Sequence, residues 1–513
     1  MKLRTNILLT LNEKMALTKI QAYAITLPKV TPRIAGGWVR DKLLGKDSND
    51  IDITLDTISG IDFANGLKNF YGWTGPVGKI KANPDKSKHL ETAVMKINGI
   101  SIDFLSLRKE TYGNTRIPQV IACTAKEDAF RRDLTINSLF YNLLTEKIED
   151  FTEKGLDDLK NEIIRTPLTA HQTLIDDPLR ILRIVRFAIR LNFQIDCEIL
   201  NAFNEVEIQR SLKQKVSSER IRIEIFKILE NERFLTALKI FATHDLIGAI
   251  FKIKIDVDIT NLIRVHNNYL NLKKYMNFDD FIVRFYVLLV FNGAVPVKNS
   301  FSNFLMVKNS LSCNKQVFAK VKRIEKNLVL LKKVSEKMSD EDAVFLLRHM
   351  KEDFETSMAI YLMASEYRIS EISDFFKGIG HEQFHSLINN SHIDLCNQKN
   401  NVNSNADENL HSVTELSVEE AAKMNKYLIF HLLNIAKKYE VDLFHKTFPF
   451  DGEYISKWLE IDQSETSFYL EMAKVQFITN SNLTLENLPD KLKEIQRERR
   501  IDGFKLFYLT DKF

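Results

Sequence analysis

The segment from Arg33 to Leu55, RIAGGWVRDKLLGKDSNDIDITL, constrains the fold more than any other part of the chain. Ile34 and Ala35 close a short apolar run. Gly36-Gly37 permits a tight turn that exposes backbone N–H groups and puts no Cβ in the way of a ligand. Val39 to Leu44 read as the first turns of a helix, with Arg40 and Asp41 near its positive end, where anions are held. Gly45 to Asn49 form a turn. Asp50-Ile51-Asp52-Ile53-Thr54-Leu55 alternates and is predicted as a strand. Residues i and i+2 of a strand share a face, so Asp50 and Asp52 point one way while Ile51 and Ile53 face the core.

Two like charges on one face repel unless a cation lies between them. Oxygen ligands beside a phosphate cradle favour Mg²⁺, and a pair of such ions suits phosphoryl transfer. A bare D-x-D is also found in solvated turns, and Asp256 and Asp258 alternate in the same way. No glycine turn precedes that second pair, and it is assigned no function.

The chain has 513 residues, too many for one core, so two to four packed units are expected. Its net charge is only +4, so any nucleic-acid surface must be a local patch. Cys123, Cys197, Cys313 and Cys396 are far apart and form no C-x-x-C, which argues against a zinc site and for a reducing compartment. No apolar run approaches the roughly 18 residues that span a membrane. The opening MKLRTNILLTLNEK lacks a long apolar segment; it reads as a helix packed on the following domain, with a short mitochondrial presequence as the alternative.

ISGIDFANGLKNF (Ile58–Phe70) has helical spacing. Trp73 to Lys88, with four Gly or Pro residues and Lys79, Lys81, Lys86 and Lys88, reads as a mobile basic loop. Leu90 to Ile97, Asn98-Gly99 and Ser101 to Leu105 form a predicted hairpin. Asp103 on its return strand is either a third carboxylate near Asp50 and Asp52 or a solvent-facing residue. After Thr115-Arg116-Ile117-Pro118 comes EDAFRRDLTIN (Glu127–Asn137). Adjacent arginines offer forked donors to a triphosphate, and Asp133 can accept from a ribose 2′-OH. Ordinary charge pairing on a helix explains the same pattern.

LIDDPLRILRIVRFAIRLNF (Leu174–Phe193) carries a predicted helix. Leu179, Ile181, Leu182, Val185, Ala188 and Ile189 form its apolar stripe, with Asp176 and Asp177 at its start and Pro178 in the first turn. Asp177, Arg180 and Arg183 follow at i, i+3 spacing on one face. Salt bridging accounts for them, but so does base reading. A carboxylate accepts from the amino group of C or A, an arginine fork donates to ring acceptors, and U and G present a carbonyl where the amino group is needed. KVSSERIRIEIFKIL (Lys215–Leu229) starts a helix capped by Ser217 or Ser218, with Glu219 in its first turn. From about residue 235 the pattern is helical throughout. Val317 to Lys337 carries a lysine-rich face that is either solvated or tracks a phosphate backbone. Asn397 to Ser412 is polar, low-complexity sequence.

G-G-x-V-R-D followed by D-x-D resembles the signature of the nucleotidyltransferase superfamily. With E-D-A-x-R-R-D-x-T-I-N it is similar to the class II tRNA nucleotidyltransferases and the poly(A) polymerases related to them, in their eukaryotic, fungal-like branch. The family has E-D-x-x-R where this chain has Asp176-Asp177-Pro178-Leu179-Arg180, so Asp176 departs from the pattern and its role is open. IEDFTEKGLDDL (Ile148–Leu159) resembles the family's hinge element, and the V-S-x-E-R-I-x-x-E-I segment resembles its last shared motif, read here as structural. The resemblance is ordered over residues 30–230 and weak beyond.

It implies an α+β fold, a nucleotidyltransferase head with a mixed sheet followed by an all-helical neck, body and tail. The implied boundaries are an N-terminal extension 1–30, head 31–147, neck 148–235, body 236–396, polar linker 397–412 and tail 413–513. The implied activity is template-independent addition of the 3′-terminal CCA of tRNA from CTP and ATP, with two Mg²⁺ ions. Asp50 and Asp52 would be the catalytic, metal-holding pair. Gly36, Gly37, Arg40 and Arg132 would hold the triphosphate, Asp133 the ribose, and Asp177 and Arg180 the base. Arg183 would buttress Arg180 or touch the nucleotide. The body and tail would grip the tRNA acceptor stem and T arm. A monomer in the cytosol or nucleus is expected, with a mitochondrial pool allowed and no membrane association. The rivals are a poly(A) polymerase or a CC-only or A-only enzyme of the same fold, and an inactive RNA-binding protein.

Overall fold

The computed structural model of the chain describes residues 7–48, 50–80, 92–111, 119–252, 259–274, 278–291, 311, 315–333, 339–350, 353–364, 432, 435, 438 and 448–502, and every structural statement below is made of these. The basic stretch 81–88, Thr115–Pro118 and the polar stretch 397–412 lie outside them. The chain divides into two compact units, one of Met1–Ile255 with Met306–Cys313, the other of Asp256–Leu305 with Asn314–Phe513. The expected head and neck therefore share one unit.

The first unit is built on a mixed sheet. Its strands are β1 (Arg33–Ala35), β2 (Ile51–Leu55), β3 (Gly78–Ile80), β4 (Thr92–Ile97), β5 (Ile100–Ser106), β8 (Phe140–Asn142) and β9 (Lys147–Glu149). The order is β3-β4-β5-β2-β1-β8-β9. A separate ribbon pairs β6 (Arg108–Thr111) with β7 (Gln119–Ala122). Only the β2–β5 pair in the seven-stranded sheet is parallel. That parallel pairing needs a crossover, supplied by helix α3 (Gly60–Phe70) and the strands that follow it. The β4–β5 turn is the expected Asn98-Gly99, both at positive φ (50° and 85°), as a two-residue hairpin of primed type requires.

Alternation along β2 does what its sequence demands. Ile51, Ile53 and Leu55 are buried while Asp52 is exposed. Phe63 of α3 packs on Phe104 of β5 with ring centroids 5.4 Å apart, and Tyr23 of α1 (Leu11–Ile25) packs on Phe63 at 5.1 Å. The N-terminal helix is thus part of the head, as expected. Its Thr10–Glu13 capping box is complete, yet Glu13 also reaches inward. It accepts from Trp38 Nε1 (3.0 Å) and Lys42 Nζ (2.8 Å), both on α2 (Gly37–Leu43).

Behind the sheet, α4 (Ala125–Phe130) is closed by a Thr124–Glu127 capping box. Arg131, Arg132 and Asp133 follow its end, before a 3-10 turn at Thr135–Asn137. The hinge-like segment begins α5 (Gly155–Asn161) rather than a turn. Gly155 is packed so close to that 3-10 turn that a Cβ would lie 2.7 Å from the Thr135 carbonyl oxygen. The short strands β10 (Ile163–Ile164) and β11 (Gln194–Ile195) pair in parallel.

The helix expected to start at Asp176-Asp177 is α7 (Arg180–Leu191), and a separate helix, α6 (Ala170–Asp176), precedes it. Asp177 lies in the break at φ −140°, ψ 98°. Pro178 is the cause, because its ring disfavours helical backbone in the residue before it. The apolar stripe holds, with Leu179, Ile181, Leu182, Val185, Ala188 and Ile189 all buried. Helices α8 (Cys197–Phe203), α9 (Val206–Lys215), α10 (Ser218–Leu229), α11 (Phe234–Thr243) and α12 (Ile247–Phe251) complete the unit. Ser217 is the N-cap of α10, but its side chain makes no capping bond.

The second unit is helical where it is described, at Ile259–Leu272, Asp280–Phe291, Lys315–Lys333, Asp340–Met350, Phe354–Ala364, Gly452–Leu459, Gln463–Thr479 and Leu488–Asp502. No helix among the described residues is long and apolar enough to cross a membrane.

Candidate active site

A cleft of about 1310 Å³ in the first unit is lined by Gly36, Gly37, Arg40, Asp50, Asp52, Arg131, Arg132, Asp133, Asn137, Asp176, Asp177, Arg180, Arg183 and Arg220, among others. Every site residue expected from the sequence borders it. The segments that meet there are the turn before α2, the start of β2, the end of α4, the α6–α7 break and the first turn of α10.

The carboxylate side is set by the sheet. Asp50 and Asp52 are exposed to solvent. Parallel register places Asp103 of β5 directly beside Asp52, and opposed residues share a face of the sheet. Asp103 is part-buried and has partners of its own. The Asp52 carboxyl is reachable by water but stands in a protein-walled cleft. That crowding, with Asp103 and then Asp50 adding like charge against the pull of Arg132, pushes its pKa up to about 6. An all-oxygen donor set in which neighbouring like charges push up the Asp52 pKa fits a hard divalent cation. Among the described residues no three His, Cys, Asp or Glu side chains form a ready cage. That is the pattern of Mg²⁺ held by one or two carboxylates together with substrate phosphates.

The glycine turn is tight. Gly36 has φ +76°, and a Cβ there would lie 2.9 Å from Arg132 Nη1. Its N–H donates to the Leu139 carbonyl at 3.0 Å, so Gly36 ties the turn to the sheet. Arg40 is only 2% exposed and forms part of the cleft's floor. Its Nε donates to Asp41 at 2.8 Å, its Nη1 donates to Asn137 Oδ1, and the guanidinium lies 5.1 Å over the Phe187 ring. Burial, partly offset by Asp41, lowers its pKa. Arg40 therefore braces Asn137 from below with these donors.

The arginine pair is organised by Asp128, which is 1% exposed. Arg131 donates to Asp128 Oδ1 through Nε (2.8 Å) and Nη2 (2.5 Å), and Arg132 to Oδ2 through Nε (2.9 Å) and Nη2 (2.8 Å). Burial alone would raise the Asp128 pKa, but Arg132 and Arg131 outweigh it and the carboxyl is held below its usual range. Arg132 Nη1 also donates to the Asn137 carbonyl at 3.2 Å, and its guanidinium lies 5.0 Å over the Phe140 ring. This orientation of Arg132 was not anticipated from the sequence. Its signal was there in the i, i+3 and i, i+4 spacing of Asp128 to the two arginines.

Asp133 is buried and accepts from Asn137 Nδ2 (3.0 Å) and from Arg183 Nε (2.8 Å) and Nη2 (2.6 Å). Burial opposes its charge, but Arg183, Asn137 and Arg180 together hold its carboxyl far below the usual range. The reciprocal attraction to Asp133 raises Arg183. Arg183 thus pairs with Asp133 rather than with Arg180.

The helix break also revises the Asp177–Arg180 geometry. Asp177 Oδ1 accepts the Leu179 N–H (3.2 Å) and Oδ2 accepts Arg220 Nη2 (2.8 Å). Arg180 is 8% exposed; Nη1 donates to the Thr173 carbonyl at 3.4 Å and Nη2 to the Arg131 carbonyl. The expected shared helical face does not exist, since Asp177 precedes α7, although both residues border the cleft. Asp176 ends α6 and accepts from Gln172 Nε2 at 2.6 Å. Two residues of α10 were read only as bracing: Arg220, on Asp177, and Glu224, which is 4% exposed and accepts from Arg186 Nε at 2.6 Å.

Residues 32–165 match the family described as Poly A polymerase head domain. The chain is 45% identical over 259 residues to the mitochondrial CCA tRNA nucleotidyltransferase of Saccharomyces cerevisiae, covering 49% of this chain and 47% of that protein. It is 31% identical over 222 residues to the A-adding tRNA nucleotidyltransferase of Aquifex aeolicus, covering 43% of this chain and 25% of that one. The chain thus matches about half the length, or less, of these curated relatives. In fold it resembles the Thermotoga maritima CCA-adding enzyme complexed with tRNA, with TM-score 0.54 and 20% identity over 93% of this chain and 95% of that one.

Proposed function

We propose, for a chain whose residues 32–165 match the Poly A polymerase head domain and which is 45% identical over 259 residues to a fungal CCA tRNA nucleotidyltransferase, that it adds C, C and A to the 3′ end of tRNA without a nucleic-acid template. One observation carries this reading. Carboxylates at the start of β2, an arginine pair after α4 and an Asp–Arg pair at the α6–α7 break all border one cleft.

The tRNA 3′-OH attacks the α-phosphate of CTP or ATP in line, and pyrophosphate leaves. Asp50 and Asp52, with Asp103 beside them, would hold the divalent cations. Bound there, Mg²⁺ would lower the pKa of the attacking hydroxyl and offset charge on the leaving group. Arg132, aimed by Asp128, binds the triphosphate against the Gly36-Gly37 turn. Asp133, kept ionised by Arg183, accepts from the ribose. Asp177 accepts the amino group of C or A, and Arg180 donates to the neighbouring ring acceptors. Arg40 acts by supporting Asn137, and Arg183 by fixing Asp133.

The body and tail, 236–396 and 413–513, take the acceptor stem and T arm by shape and phosphate contacts. The protein acts as a monomer in the cytosol or nucleus, with a mitochondrial pool that the naming of its yeast relative supports. Similarity to an A-adding enzyme over 222 residues favours a partial activity as the second reading, and the head family's name favours poly(A) synthesis as a third.

Purified protein with Mg²⁺ and a tRNA transcript ending at the discriminator base distinguishes these. Two C residues and one A, then a halt, establish CCA addition. A ladder of A, a stop at CC, or A added only to a CC end each replaces it with a rival. No extension leaves an RNA-binding protein.

A further inference from the structure

We propose that Arg220 is a positioning residue for base selection, holding the Asp177 carboxylate in the orientation that accepts the amino group of the incoming base. The inference rests on Asp177 as a base reader and adds what aims it.

Asp177 has no helix to hold it. It lies in the extended break made by Pro178, where a short side chain is free to turn unless something fixes both oxygens. The Leu179 N–H takes Oδ1 at 3.2 Å, and Arg220 Nη2 takes Oδ2 at 2.8 Å. A carboxylate has about four acceptor positions. Two are used by these donors, which leaves acceptor capacity for an amino group while the plane of the carboxylate is set from two sides. Both side chains are part-exposed, 20% for Asp177 and 25% for Arg220, and both border the cleft.

The position of Arg220 is unusual on local grounds. It occupies the first turn of α10, where the helix dipole disfavours a cation, and Ser217 supplies no capping bond to offset it. Glu219 in the same turn offsets part of this, and the Asp177 carboxylate is the compensating charge bonded to Arg220 itself. One helical turn further on, Glu224 accepts from Arg186 and lies 3.8 Å from Arg183 Nη1. Arg183 in turn holds Asp133. A single face of α10 therefore steadies both the carboxylate assigned to the base and, through Arg183, the one assigned to the ribose.

Without Arg220, Oδ2 loses its fixed donor and the carboxylate rotates. The amino groups of C and A then gain less than before, and the penalty for the carbonyl of U or G at that position falls. The loss is in selection and nucleotide affinity, not in the chemical step.

The test compares wild type, Arg220→Ala, Arg220→Lys and Asp177→Ala for kcat and KM with CTP, ATP, UTP and GTP singly. The tRNA transcripts end at the discriminator base or at its CC extension. Losing one charge-assisted hydrogen bond predicts that Arg220→Ala raises KM for CTP and ATP roughly tenfold and lowers discrimination against UTP and GTP by a similar factor. Its kcat at saturating nucleotide should change less. Arg220→Lys, which keeps charge and a donor, should restore part of the discrimination, and it carries the test if the alanine variant does not fold. Intact discrimination in both Arg220 variants, with lower thermal stability or a uniform fall in kcat, means Arg220 only ties α10 to the break, and overturns the proposal. Intact discrimination in Asp177→Ala removes Asp177 as the reader, a separate failure seen in a separate variant.

Discussion

Glu13 and Lys42 form an ion pair at the base of the head, with side chains 5% and 2% exposed. Glu13 also accepts the indole N–H of Trp38 and the N–H of Thr10 (2.7 Å). Replacing Glu13 with Ala leaves a buried ammonium whose remaining acceptor among the described residues is Asp47, at 3.1 Å and 85% exposed. Removing one partner of a buried pair costs about 3–5 kcal/mol. The solvated Asp47 partner favours the lower end, about 3 kcal/mol. For a unit of this size, that lowers Tm by about 6–12 °C.

Trp38 is itself bonded to Glu13, so its fluorescence in a Trp73→Phe, Trp458→Phe background follows the event in the unit concerned. Burial acts to raise the Glu13 pKa, but Lys42, Thr10 and Trp38 outweigh it and hold the carboxyl below its usual range. A depressed folded pKa stabilises fully above the unfolded value and loses that stabilisation as pH falls through the folded value. The deficit of Glu13→Gln should therefore be present at pH 7 and shrink below about pH 4.3. Adding Lys42→Met to Glu13→Ala should recover most of the loss, because no buried charge is then left alone. A double variant as unstable as Glu13→Ala would refute the reasoning and leave lost packing as the cause.

Ionisation of Asp52 near pH 6 should make divalent-cation binding to the protein alone strengthen as pH rises from 5 to 7. Titration calorimetry with Mn²⁺ reads this, and Asp52→Asn should abolish both the pH dependence and nucleotide addition while tRNA binding persists; pH-independent affinity would count against Asp52 as a ligand. Asp128→Asn should raise KM for both nucleotides roughly tenfold by releasing Arg131 and Arg132, since bonds to charged groups are worth about 1.5–3 kcal/mol; an unchanged KM would mean that the arginines need no aiming. Arg180→Ala should impair base choice and KM together, because Arg180 also donates to the Arg131 and Thr173 carbonyls; unchanged choice among the four nucleotides would exclude it from base reading.

Where a signal lay within a few residues, it was legible. The positive φ of Gly36, the alternation of β2, the Asn98-Gly99 turn and the buried stripe of α7 all follow from local sterics and period. The break at Asp177 is also written locally, in Pro178. Asp128 is legible by its i, i+3 and i, i+4 spacing to the two arginines.

By itself the sequence determined the glycine turn, the paired carboxylates on one strand face and which residue types would gather, while the mixed sheet followed by helices was implied by the family resemblance. Only the tertiary structure decided who meets whom. Asp103 stands beside Asp52 because β2 and β5 pair in parallel across a crossover. Asp133 meets Arg183 fifty residues away, and Asp177 meets Arg220 across a separation of 43. Periodicity tells a side chain which face to occupy, but a carboxylate's attraction to a guanidinium is the same for every arginine in reach. Which one is within reach is set by how the sheet and the helices pack.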